Sequence, residues 1–160
     1  MTCGGPAPTP VPLATPEATA TPVRPTPPTS TPGEPVQLTV DTATGATDFS
    51  YAQTTLEAPA GAEVTLRLNN LTGAADEVGH NWVLVWPGQE ESVLTNGIAA
   101  GDDRDWLDVN DPGIIAATRL IEGGERDDVT FQAPEAGVYT FLCTFPEHFE
   151  GGMKGTFTTR

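Results

Sequence analysis

Cys143, His148 and Met153 lie in one short run, CTFPEHFEGGM (residues 143–153), with four residues between each neighbouring pair. Thiolate and thioether are soft ligands that favour copper, and imidazole suits both of its oxidation states. The only other histidine, His80, opens the apolar stretch HNWVLVW upstream. Two histidines and a cysteine in a trigonal arrangement, with a weak axial methionine, make the blue-copper ligand set. His80, Cys143, His148 and Met153 supply that set once, with no ligand left over. Taken singly, each has an ordinary structural role. His80 would be a strand-edge residue, Met153 packing, and Cys143 a small buried hydrophobe. Their coincidence carries the copper reading.

The surrounding residues explain how the ligands would meet. Cys143 ends the strand-like run VYTFLC, and Pro146 cannot continue a β-ladder, so the chain turns there. Gly151 and Gly152 permit the tight path that returns Met153 to the same point. His80 belongs to a separate strand, so one copper ion would tie two parts of the core together and add its binding energy to folding.

Apolar residues alternate in Val36–Val40 and Val64–Leu68, the mark of half-buried strands. Residues 80–86 are apolar on both faces and read as an interior strand. Further strands are expected at 128–131, 138–143 and 155–159, separated by turn signals at Ala60–Gly61, Asn69–Asn70 and Ala136–Gly137. Residues 90–112 break the alternation and are expected to form a flap containing a short helix. Seven or eight short strands imply an all-β fold, a Greek-key β-sandwich occupying residues 35–160.

Residues 1–34 are rich in Pro and Thr and nearly devoid of large apolar side chains. Burial there cannot offset the cost of ordering the backbone, so the segment reads as a disordered, largely polyproline-II tether. Cys3, followed by Gly4 and Gly5, resembles the lipid-modified cysteine of bacterial lipoproteins. Two readings stay open: a membrane anchor outside the cytoplasm, or an incidental tail thiol. A Cys3–Cys143 disulfide is not expected, because Cys143 ends a hydrophobic strand beside a histidine. Seven Lys and Arg against 22 Asp and Glu exclude nucleic acid as a partner. The net charge of −15 serves solubility or steering toward a basic partner. No stretch reaches the roughly 18 apolar residues of a membrane-spanning helix.

GHNWVL (79–84) and CTFPEH (143–148) resemble the two copper loops of azurins, and TNGI (95–98) and IAATRLI (115–121) are also azurin-like. The resemblance covers residues 60–160. Four residues between His148 and Met153, rather than the three usual in azurin, are more similar to the auracyanins, azurin-like proteins of photosynthetic bacteria, some of them membrane-tethered. The resemblance implies a cupredoxin-like sandwich with one type 1 copper ion. It also implies a monomer that shuttles single electrons in a photosynthetic or respiratory chain. Its partners would be proteins such as cytochromes or membrane complexes, and it would not be an enzyme. The Gly79 carbonyl would be a weak axial neighbour of the copper. Asn81 would hydrogen-bond across to the Cys143 loop. The exposed edge of His148 would pass electrons, within an apolar ring for which Phe145 and Phe149 are candidates, either of them equally readable as core. Glu147 stands where azurins usually carry glycine, and with Glu150 it would tune docking. The disulfide usual near the start of azurins cannot form. A copper carrier or storage protein with the same site is the alternative, and zinc is disfavoured by the Met153 thioether. A copper oxidase or nitrite reductase would need a second, histidine-rich centre.

Overall fold

The computed structural model describes residue 1 and residues 34–44, 49–73 and 78–160. Cys3 and the expected tether lie outside the described residues, apart from Met1 and Glu34. Among the described residues there are eight strands: β1 (Val36–Asp41), β2 (Thr55–Ala58), β3 (Glu63–Asn69), β4 (Val83–Val85), β5 (Ile114–Ala117), β6 (Arg126–Gln132), β7 (Gly137–Leu142) and β8 (Lys154–Thr159). One helix, α1 (Glu90–Ala100), precedes a short 3-10 turn at Asp102–Arg104.

The strands form two mixed sheets, ordered β1-β3-β6 and β2-β8-β7-β4-β5. Successive strands repeatedly change sheet, from β1 to β2, β2 to β3, β3 to β4, β5 to β6 and β6 to β7. The chain therefore wraps one core between two layers, the expected β-sandwich. Alternation decides what faces inward. In β3, Val64, Leu66 and Leu68 are fully buried while Glu63 and Arg67 are exposed. These side chains, with Val40 of β1, meet Leu84, Phe141 and Phe157 of the other sheet and the neighbouring Trp82. Each buried Val, Leu or Phe contributes about 1.5–3 kcal/mol.

The larger sheet also buries its outer side. Val83, Val85 and Leu142 pack against Val93 of α1 and Leu107 beyond it. This is why β4 is apolar on both faces: sandwich core on one side, flap on the other. Glu90 and Glu91 lie in the first turn of α1, where the helix dipole favours negative charge.

The ladder of β4 is shorter than the 80–86 expected from hydropathy. The Trp82 N–H donates to the Thr118 hydroxyl at 2.9 Å rather than to a backbone carbonyl, which interrupts the pairing. His80 rejoins as a single bridge to Ile121, through two backbone hydrogen bonds of 3.0 and 2.9 Å. It is held in place, but outside the regular sheet.

Candidate metal centre

Strand β7 ends at Leu142, and the chain then folds back on itself. The Cys143 N–H donates to the Met153 carbonyl at 3.1 Å, and the Met153 N–H to the His148 carbonyl at 2.9 Å. One backbone clasp thus joins the three residues singled out by spacing. Inside it, the His148 N–H donates to the Phe145 carbonyl and the Gly151 N–H to the Glu147 carbonyl. Gly152 has φ +108, a conformation that essentially only glycine adopts. Glu147 has φ 69, uncommon for a residue with a side chain, so a glycine here would sit at lower strain.

Asn81 joins this loop to the His80 strand. Its amide NH₂ donates to the Thr144 hydroxyl at 2.7 Å, and its side-chain oxygen accepts the Thr144 N–H at 2.9 Å. The Tyr51 hydroxyl donates to the Asn81 carbonyl at 2.5 Å. Asn81 is fully buried. Asn81→Ala leaves the buried Thr144 N–H without an acceptor, at about 1–3 kcal/mol per unsatisfied group. The apoprotein is expected to lose about 1–3 kcal/mol of unfolding free energy on this accounting. Denaturant titration checks it, and an unchanged midpoint would refute the bridging role.

The ligand atoms of His80, Cys143 and His148 all lie within 4.8 Å of one another. The Cys143 sulfur is 3.5 Å from Nδ1 of His148, and the two imidazole rings are 4.8 Å apart, centre to centre. Relative exposure is 0 % for Cys143, 1 % for His148 and 2 % for His80. Burial dominates their protonation. It lowers both histidines to about 4, with repulsion from His80 adding to the shift of His148. It raises the Cys143 thiol to about 11, while backbone hydrogen bonds from Asn81 and Phe145 pull in the opposite direction.

At neutral pH the site is therefore two uncharged imidazoles and a thiol facing one another, shut off from bulk solvent. Nδ1 of His80 is buried and has no hydrogen-bond partner. An orphaned lone pair aimed into such a cluster costs stability unless something accepts it. A metal ion fits the donor set on that observation, and the sulfur and nitrogen donors suit copper.

Met153 is fully buried in the same core cluster as Cys143. Gly79 is also buried, and a side chain there would approach Leu120 to 2.7 Å, so the backbone itself packs close. The exposed edge expected for His148 is corrected. The ring is covered, stacked on Phe49 at 4.2 Å and on Phe145 at 4.6 Å. Phe149 does not ring it: it packs with the outer cluster of Val83, Val85 and Leu142, under the Lys154 ammonium at 4.2 Å. Phe49 and Tyr51 were not anticipated, because neither lies in a ligand run and no spacing links them to one. Glu147 and Glu150 are both exposed.

The sequence pattern of copper binding proteins of the plastocyanin/azurin family matches residues 36–160. Auracyanin-B of Chloroflexus aurantiacus is 40 % identical over 113 residues, covering 69 % of this chain and 47 % of that protein. Azurin of Pseudomonas aeruginosa is 45 % identical over 86 residues, covering 52 % of this chain and 57 % of that protein. The chain thus spans about half the length of these two relatives. Among solved structures, auracyanin A of Chloroflexus aurantiacus, described as a "blue" copper protein, superimposes with a TM-score of 0.70. It is 33 % identical, and the match covers 79 % of this chain and 99 % of that one.

Proposed function

This chain belongs to the plastocyanin/azurin family of copper-binding proteins, and from that premise we propose that it is a blue-copper carrier of single electrons. The observation that carries the reading is the buried convergence of the His80, Cys143 and His148 donor atoms within 4.8 Å. Those three residues and Met153 would hold the copper, with the Gly79 carbonyl as a weak further neighbour. Bound copper supplies a one-electron couple between its Cu(I) and Cu(II) states. The protein's part is to keep the donors in one arrangement for both states. The Cys143–Met153–His148 backbone clasp does this from one side, and the Asn81 bridge to Thr144 does it from the other. Little rearrangement then accompanies each transfer.

The partners in this reading are redox proteins, such as cytochromes or membrane complexes of a photosynthetic or respiratory chain. The chain works outside the cytoplasm, residues 35–160 form the copper domain, and residues 1–34 tether it through a lipidated Cys3. No helix among the described residues is long and apolar enough to cross a membrane. Exposed Glu147 and Glu150 contribute docking charge. Neutralising both flattens the ionic-strength dependence of electron transfer, and an unchanged dependence refutes that role.

Adding copper(II) to the purified apoprotein tests the function. An intense blue charge-transfer band is expected, together with retention of the ion through repeated reduction and oxidation. A colourless complex refutes the site. Ready surrender of copper to a weak chelator would instead indicate a carrier of the metal, and turnover of oxygen or nitrite would indicate an enzyme.

A further inference from the structure

A third stretch of chain reaches the donor cluster, and it belongs to neither ligand run. Phe49 and Tyr51 stand two residues apart, a spacing that puts both side chains on one side of an extended segment. The Phe49 ring stacks on His148, centres 4.2 Å apart. Tyr51 packs on Phe141, centres 5.4 Å apart, and its hydroxyl donates to the Asn81 carbonyl at 2.5 Å. The segment therefore touches both halves of the site: the His148 ring and the residue that follows His80. It is itself pinned to the end of β1 by a bridge between Thr42 and Tyr51. The Ala43 N–H donates to the Ser50 carbonyl at 2.9 Å, and the Ala52 N–H to the Asp41 carbonyl at 2.8 Å.

Tyr51 is 3 % exposed, and burial holds its phenol well above the usual tyrosine pKa, so the O–H stays a donor. That bond completes the fixing of Asn81. The Asn81 backbone N–H bonds to the Cys143 sulfur, its side chain is paired with Thr144 and its carbonyl is taken by Tyr51. Phenylalanine would fill the same space and keep the contact with Phe141. What it lacks is the donor, and a buried carbonyl left without one shifts toward any other partner within reach. Asn81 is then held at two points rather than three, and its N–H loses its fixed aim at the sulfur. A donor on the thiolate draws electron density from it and so favours Cu(I) over Cu(II). Hydrogen bonding around the cysteine sulfur is one of the levers on the potential of such a site.

We propose that Tyr51 is a positioning residue for electron transfer: by holding the Asn81 carbonyl it keeps the Asn81 N–H on the Cys143 sulfur, and it thereby sets the copper reduction potential. The inference rests on the electron-carrier reading. Tyr51 exchanges neither a proton nor an electron. Its hydroxyl proton stays on the phenol while the site gains or loses one electron to the redox partner.

The test compares Tyr51→Phe with Tyr139→Phe. The second variant removes a similarly buried phenol hydroxyl, which donates to the Glu135 carbonyl at 2.8 Å. Tyr139 lies four residues back from Cys143 along β7, about 13 Å at ~3.3 Å per residue. In the copper-loaded chain, Tyr51→Phe is expected to stay blue. Its Cu(II)-to-Cu(I) ratio at a fixed ambient potential rises about tenfold, a fall in reduction potential of about 59 mV for one electron. Tyr139→Phe leaves the potential unchanged. In the copper-free protein, the Asn81 and Thr144 amides of Tyr51→Phe exchange with deuterium about tenfold faster relative to the Leu84 amide of β4. Tyr139→Phe keeps the wild-type ratio. A potential that does not move in Tyr51→Phe, or that moves equally in both variants, overturns the proposal, as does faster exchange shared evenly with Leu84. Those failures leave the carrier reading standing, because the wild-type chain is still blue and still cycles. A wild-type chain that binds no copper defeats the carrier reading and the proposal together.

Discussion

Replacing Cys143 with serine abolishes the intense visible absorption of the copper-loaded protein. It also weakens copper binding by more than the roughly 10–100-fold typical of losing a residue that merely supports a ligand. A hydroxyl is a hard, feebly acidic donor that cannot replace the soft thiolate, so both colour and affinity go together. The apoprotein should still fold. The position is fully buried, but serine is nearly isosteric and can accept the backbone hydrogen bonds that Asn81 and Phe145 give the sulfur. Optical titration with copper(II), beside denaturant unfolding of the apoprotein, separates the two effects. A blue Cys143→Ser variant would remove the thiol from the site.

Copper uptake is expected to release one proton per ion across most of the accessible pH range. In the folded apoprotein the thiol titrates at about 11 and both imidazoles at about 4. Between those values the histidines are already free to bind, and only the thiol proton must leave. Apparent affinity therefore rises about tenfold per pH unit from roughly pH 5 to 10, since one bound proton contributes about 1.4 kcal/mol per unit. Below about pH 4 the imidazoles add their own protons and the dependence steepens. Calorimetry in buffers of different ionisation enthalpy counts the protons. A count of three at neutral pH would show that both histidines are charged in the apoprotein.

The same depressed imidazoles act on stability without copper. In the unfolded chain they titrate near 6.5, so that state binds more protons between pH 6.5 and about 4. Apoprotein stability falls as pH drops through that window. The thiol has the opposite sense: its raised value favours the folded state below about pH 9, an advantage lost as pH climbs toward 11.

Much of this chain is legible one residue at a time. Alternation over Val64–Leu68 placed β3 and its buried face because side chains on a strand point to opposite sides every second residue. The run from Cys143 to Met153 carries its ligand types, its Pro and its Gly pair within eleven residues, so local chemistry and local turn geometry suffice to read it. The flap helix was also readable, as a break in the alternation.

What hydropathy missed depends on partners distant in sequence. The ladder of β4 stops at Val83 because the Thr118 hydroxyl takes the place of a carbonyl, which no pattern within 80–86 encodes. Electron exit through an exposed His148 edge was expected, yet Phe49 closes over that ring from a segment far upstream.

Residue types and spacings alone determined that soft ligands occur together, in an all-β chain too acidic for nucleic acid. Only the tertiary structure decided that they are shut off from bulk solvent, which aromatic rings cover them and how tightly their protons are held. The reason is physical. Ligand identity belongs to a side chain, whereas burial, stacking and protonation are set by whatever the rest of the fold packs against it.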